Sequence, residues 1–219
     1  MWCIGKITTE YRERMYALCD LYALPYNPRE PVVCVDEKSA QVLASSRADL
    51  EARPGQIAKQ DYEYVRKGTR NLFVAVEPRG GHREVAVTLR RAKVDFVKFV
   101  GGLVTTVYAG ARKLHLVLDN LNTHFRVCFE DVLGPAAAAA LLEHVDFHYT
   151  PKHASWLNMA ELEIGIMERQ CTGRRLASTN LLISEVAAWQ QQRNIEKHGI
   201  QWRFTRQDAD RKLGRHYIT

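Results

Sequence analysis

The spacing of apolar residues changes period several times along the chain, and each change marks an element. Tyr11, Met15, Leu18 and Tyr22 recur at intervals of three and four behind Thr8 and Thr9, which predicts a capped helix ending near Tyr22. Pro25, Pro28 and Pro31 then forbid helix and predict a linker. Val32 to Val35 is an unbroken apolar run, read as a short buried strand that ends in Asp36 and Glu37. Residues 39–68 are polar and aperiodic and are expected to be irregular. Asn71–Glu77 and Arg83–Arg90 alternate on either side of Pro78-Arg79-Gly80-Gly81, the pattern of a hairpin. A helix from Lys93 to about Ala109 is weakened by Gly101-Gly102, and Lys113–Leu118 reads as a strand that ends in Asp119. Glu130–Glu143 is helical apart from Gly134-Pro135, and Val145–Tyr149 is a strand. Helices follow at Ser155 to about Arg175 and Asn180–Lys197, with a mixed tail from Gln201.

Antiparallel strands followed by β-α-β units predict an α/β architecture, a mixed central sheet with helices on both faces. The division expected is an N-terminal helix and proline-rich linker over residues 1–30, a main domain over 31–177, and a C-terminal helix with a basic tail over 178–219. With 46% hydrophobic and 9% aromatic residues in 219, the chain can build an ordinary core, which excludes a disordered chain and a disulfide-stapled mini-protein. No apolar run approaches the ~20 residues of a membrane span. The first six residues lack the features of a signal peptide, so a cytoplasmic protein without a membrane partner is expected. Cys3, Cys19, Cys34, Cys128 and Cys171 are scattered and form no C-x-x-C pair, which fits free thiols and makes a structural zinc site unexpected. A strand over Val145–Tyr149 would put His144 and His148 on one face but about 13 Å apart, too far to share an ion, so both are read as structural.

The net charge of +6 is unevenly placed. Residues 1–168 hold 21 basic and 21 acidic side chains, whereas residues 169–219 hold 10 and 4. Arg169, Arg174, Arg175, Arg203, Arg206, Arg211, Lys212 and Arg215 therefore become candidate phosphate contacts; the competing reading is a solvated helical face.

The residues best suited to chemistry are acids. If the strands ending in Asp36 and Asp119 are parallel neighbours, both carboxylates emerge at the carboxyl edge of the sheet, where ligands of open α/β sheets gather. Two carboxylates that close repel unless a proton or a cation intervenes, and a hard divalent ion takes such oxygens. The competing reading makes each a turn residue. Glu161 is the third candidate, in PKHASWLNMAELE; its competing role is the third helical position of a capping box begun by Asn158. Glu163 lies ~200° around the helix and should face elsewhere, while Glu168 shares the Glu161 face two turns on.

The strings VVCVDEKS, LHLVLDNLNTH and HYTPKHASWLNMAELEIGIMER resemble the DDE endonuclease domain of mariner-like insertion-sequence transposases, in the retroviral-integrase superfamily. The resemblance covers essentially the whole chain. It implies an RNase H-like fold and a catalytic, metal-binding triad of Asp36, Asp119 and Glu161. Asn120, His124 and Asn158 match positions that support the site. The resemblance further implies two Mg²⁺ or Mn²⁺ ions, double-stranded DNA of transposon ends and target as partner, assembly as a homodimer, and strand cleavage followed by strand transfer. In one respect it departs: members usually carry a helix-turn-helix region ahead of this domain, whereas residues 1–30 offer one helix and a linker. The alternatives kept beside this reading are a truncated, inactive fragment that only binds DNA, and a nuclease acting on RNA–DNA hybrids.

Overall fold

The computed structural model describes residues 6–48, 50–59 and 61–218. The N-terminal segment and Cys3, on which two of the expectations above rest, lie outside these. Five strands form one sheet: β1 (Val32–Ser45), β2 (Tyr64–Glu77), β3 (His82–Thr88), β4 (Leu114–Leu118) and β5 (Val145–Tyr149). Their order is β3-β2-β1-β4-β5. The β1–β2 and β2–β3 pairs are antiparallel, while β1–β4 and β4–β5 are parallel.

The helices are α1 (Thr9–Ala23), α2 (Lys93–Gly102), α3 (Val127–Leu133), α4 (Pro135–Leu141), α5 (Ala160–Met167), α6 (Thr179–Glu196) and α7 (Arg206–Leu213). Thr8 caps α1 as expected, its hydroxyl accepting from the Tyr11 N–H at 3.2 Å. The helix expected over Glu130–Glu143 divides into α3 and α4 because Gly134 adopts φ 81°, a left-handed conformation that a side chain would strain, and Pro135 then starts the second helix. The helix expected from Ser155 is likewise divided: a 3₁₀ turn at Ser155–Leu157 stops at Asn158, and α5 starts two residues later.

Two expectations need correction. β1 does not end at Asp36 but continues to Ser45, and β2 starts at Tyr64. Residues 39–45 and 64–68 thus belong to strands, and the described residues between them, 46–48, 50–59 and 61–63, make only isolated bridges. The reason is physical. The first six residues of β2 are all exposed, so that half of the arm carries no burial pattern to read, and in the β1 half Val42 is the one buried side chain. A shift of register between Gln41 and Leu43 disrupts the alternation further.

Strand alternation assigns the two faces. Val33, Val35, Leu114, Leu116 and Leu118 pack against Phe96, Val97 and Val100 of α2 and Phe129 of α3. On the other face Cys34 and Val117 meet Met15, Leu18 and Tyr22 of α1 and Ala160 of α5, while Leu72 and Val74 meet Met167 at the end of α5 and Leu182 and Val186 of α6. No helix among the described residues is long and apolar enough to cross a membrane.

Candidate active site

The β1–β4 register sets the geometry of the acidic residues. Cys34 pairs with Val117, and Asp36 and Asp119 each follow two residues later. Side chains alternate with period two, so both carboxylates belong to the face shared by Cys34 and Val117, the face that α5 covers. Asp119 leaves at the end of its strand, whereas Asp36 sits within β1, whose longer course continues past the site.

Asn158 brings α5 to this edge. Its Nδ2 donates to the carbonyl of Val35 at 2.8 Å, and its Oδ1 accepts from the Ala160 N–H at 3.1 Å. One fully buried amide thus fastens the helix start to the residue before Asp36. The capping box expected as the competing role of Glu161 does not form. The Asn158 N–H donates to the Ser155 carbonyl at 2.7 Å, and Met159 occupies the N-cap without a side-chain bond. The exposed Glu161 carboxylate is therefore not consumed by capping.

The carboxylates feel one another. Burial pushes Asp36 up, a 2.7 Å bond from the Glu37 N–H opposes it, and repulsion from Asp119, Glu37 and Glu161 adds to the rise, which reaches about 7. Asp119 behaves differently. Burial pushes it up, but the His124 imidazole, with Nδ1 at 2.6 Å from Oδ1, and the Leu121 N–H at 3.0 Å bring it below the usual carboxylate range. His124 is fully buried, packs on Phe96 with centroids 4.5 Å apart and the rings tilted by 32°, and places Nε2 at 2.8 Å from Glu37 Oε2. Burial opposes its charge, but the two carboxylates outweigh this and raise it to about 9. The second contact is an ion pair without hydrogen-bond alignment, which leaves both Glu37 oxygens without a hydrogen bond. His124 thus contacts Asp119; its other partner, Glu37, was not foreseen, because the residue after an aspartate in a strand points to the opposite face.

Asn120 takes a structural position: Oδ1 accepts from Arg14 of α1 at 3.0 Å and Nδ2 donates to the Thr150 carbonyl, tying the ends of β4 and β5 to α1. Glu163 faces away as expected and is fully buried against Arg83 and Arg193. Glu168 pairs with Lys38.

The basic candidates divide. Arg174 pairs with Glu185, Arg206 with Asp20 and Arg211 with Asp208. Arg175 donates to the carbonyls of Tyr62 and Glu63, tethering the irregular excursion, and Lys212 lies over the Phe204 ring. Arg169, Arg203 and Arg215 are exposed.

A second cluster was missed. Across β4–β5, His115 pairs with Asp146 and Val117 with His148, and the ligand atoms of His115, Asp146 and His148 lie within 4.8 Å of one another. His148 is therefore not isolated; its neighbour is a histidine from another strand rather than His144. Only strand register reveals this.

A carboxylate group that repels Asp36 toward neutrality, with no ammonium or guanidinium on Asp36 itself, is a donor set that fits a hard divalent cation. Solved structures of the Mos1 mariner transposase resemble the fold: the paired end complex with Mn at TM-score 0.57 and 15% identity, covering 90% of this chain and 60% of that one, and the paired end complex with Mg at TM-score 0.58 and 15% identity, covering 100% and 66%. The Mos1 strand transfer complex matches at TM-score 0.53 and 15% identity, covering 90% and 62%. The chain thus spans about three-fifths of the first of these, and the likeness shows a shared RNase H-like fold. No curated relative matches significantly in sequence. Residues 31–183, which contain Asp36, Asp119 and Glu161, match the family model of the DDE superfamily endonucleases, and the chain belongs to that family.

Proposed function

We propose that the chain is the catalytic domain of a transposase, performing metal-dependent DNA strand cleavage and strand transfer with Asp36, Asp119 and Glu161 as its metal ligands. The observation that carries this is the register of β1 and β4, which sets two aspartates on one face, where the Glu161 carboxylate of α5 repels that of Asp36. Mg²⁺ or Mn²⁺, as a pair, would supply a nucleophilic oxygen from water or a DNA 3′-hydroxyl and stabilise the leaving oxygen of an in-line displacement. Asp36, which feels the charge of both other acids, would hold the ions together with Asp119 and Glu161. His124 keeps Asp119 ionised and oriented, and Asn158 fixes the helix that carries Glu161. No covalent protein–DNA bond is required.

The partner is double-stranded DNA, and the paired-end complexes of Mos1 support assembly of two copies on two ends. Among the basic candidates, Arg169, Arg203 and Arg215 are the best phosphate contacts, because they are exposed while Arg174, Arg206 and Arg211 already have acidic partners. Binding to DNA should then weaken as salt rises, with a slope of roughly one for each phosphate neutralised, measured by fluorescence anisotropy on a labelled duplex. The decisive experiment is nicking of supercoiled plasmid by the purified chain. Cleavage that needs Mg²⁺ or Mn²⁺ and disappears in Asp119→Asn supports the reading; DNA binding without any metal-dependent cleavage reduces the chain to a binding module.

A further inference from the structure

The second cluster lies on neighbouring parallel strands, on the same face as Asp119 but nearer the start of β4: His115 precedes Asp119 by four residues, roughly 13 Å of strand. The Nδ1 of His115 is 3.0 Å from the Nε2 of His148, and 3.9 Å from Oδ2 of Asp146. Nitrogens bound to one tetrahedral zinc at ~2.0–2.1 Å would be about 3.3 Å apart, so the two imidazoles already stand at nearly the spacing of ligands on one ion. The Asp146 oxygen has to close on His115 Nδ1 by about 0.6 Å to reach that spacing, and all three ligand atoms already lie within 4.8 Å of one another. Asp146 is half exposed, and His115 also lines a cavity of about 310 Å³ with Tyr22, Asn27, Glu30 and Val32.

We propose that His115, Asp146 and His148 form a second cation site, selective for a borderline transition ion of the Zn²⁺ type over Mg²⁺. Two imidazoles and one carboxylate suit Zn²⁺, Co²⁺ or Ni²⁺, whereas Mg²⁺ prefers oxygen donors alone and keeps its waters. Three protein ligands leave a coordination position for water. Such an ion would clamp edge strand β5 to β4, the strand that delivers Asp119.

Two features of the metal-free cluster agree with this. Burial, with the Lys113 ammonium adding to it, holds His115 below the ordinary imidazole range, and burial together with the neighbouring His115 ring holds His148 at about 4, so both are neutral and can bind a metal without losing a proton. In the observed contact one ring donates to the other; the donor ring has only to carry its proton on its far nitrogen to free the near one. Asp146 is held by the ammonium of Lys113 at 2.6 Å, a monovalent cation standing where the divalent one would bind. Lys113 is 42% exposed and can swing into solvent. It competes with the metal and sets the affinity.

The test is calorimetric titration of the full chain with ZnCl₂ in excess Mg²⁺, on the parent and on Glu161→Gln. One Zn²⁺ per chain is expected in both, with a rise in melting temperature. Asp146→Asn and His148→Gln should each weaken binding at least about tenfold, as even outer partners of metal ligands do, and Lys113→Met should tighten it. Co²⁺ should give a visible absorption band that His115→Gln abolishes. Because Asp146 and Lys113 are both partly exposed, their variants test the site even where a histidine replacement impairs folding. Absence of Zn²⁺ binding above the Mg²⁺ background overturns the proposal. So does binding that survives Asp146→Asn and His148→Gln, or binding lost in Glu161→Gln, which would put the ion among the carboxylates instead.

Discussion

Glu161 and Glu163 stand two residues apart on one short helix, and the protein treats them in opposite ways. Glu163 is fully buried and accepts hydrogen bonds from Arg83 Nε and Nη2 at 2.9 and 3.1 Å and from Arg193 Nε at 3.1 Å. Arg83 also donates to the carbonyls of Gly81 and His198, so this carboxylate sits at the junction of α5, β3 and α6. Glu161 is exposed, caps nothing, and adds its repulsion to Asp36. A carboxylate whose charge the chain itself answers with guanidinium groups is part of the frame. One set among other carboxylates is waiting for a cation from outside. The first holds the helix in place so that the second can be aimed, and the hundred-degree step of the helix separates the two roles.

Replacement separates the two most sharply. Glu163→Ala leaves the Arg83 guanidinium buried without a counter-charge, takes from Arg193 one of its two acidic partners, and should cost about 3–5 kcal/mol of stability, read from denaturant or thermal melts. What folds should still bind Mg²⁺. Glu161→Gln should do the reverse: an unchanged or slightly raised melting temperature without metal, a smaller rise on adding Mg²⁺, and plasmid nicking reduced at least about 100-fold, equivalent to roughly 2.7 kcal/mol of transition-state stabilisation. If Glu161→Gln keeps full activity, the contrast collapses and Glu168 becomes the next candidate. Asn158→Ala should fall between them. It unpairs the Val35 carbonyl and the Ala160 N–H and should cost about 1–3 kcal/mol in a melt, together with activity lost through a displaced Glu161.

How much of this was readable beforehand follows the same division. The runs VVCV and LHLVL announce strands because both faces of those segments are buried, and the acids that follow them stand out against the apolar background. Glu161 could be separated from Glu163 by helical period alone. The arm formed by residues 39–45 and 64–68 was not legible, because residues 64–68 are exposed throughout and a single buried Val42 in 39–45 makes no alternating pattern. Nor were the partners of the acids. Arg83 and Glu163 are eighty residues apart in sequence, and Glu37 meets His124 only because His124 reaches from the Asp119 face to the opposite one. The pairing of His115 with His148 depends on a strand register that no local pattern encodes.

The finest test of the comparison is pH. Asp36 keeps its proton in the folded chain up to about 7, whereas an aspartate in the unfolded chain loses it near about 3.9. Between those values the folded state binds more protons than the unfolded state, so this residue makes stability fall as pH rises, and the loss is complete above 7. A divalent ion competes with the Asp36 proton. Its affinity should therefore weaken by up to about tenfold, roughly 1.4 kcal/mol, for each pH unit below 7 and level off above it. The measurement is the Mg²⁺-induced rise in melting temperature across pH 5 to 8. It should grow with pH in the parent and lose its steepest part in Asp36→Asn, where no proton remains to displace. A rise of equal size at every pH would mean that Asp36 is already ionised in the folded chain, and that its charge is answered by the protein after all.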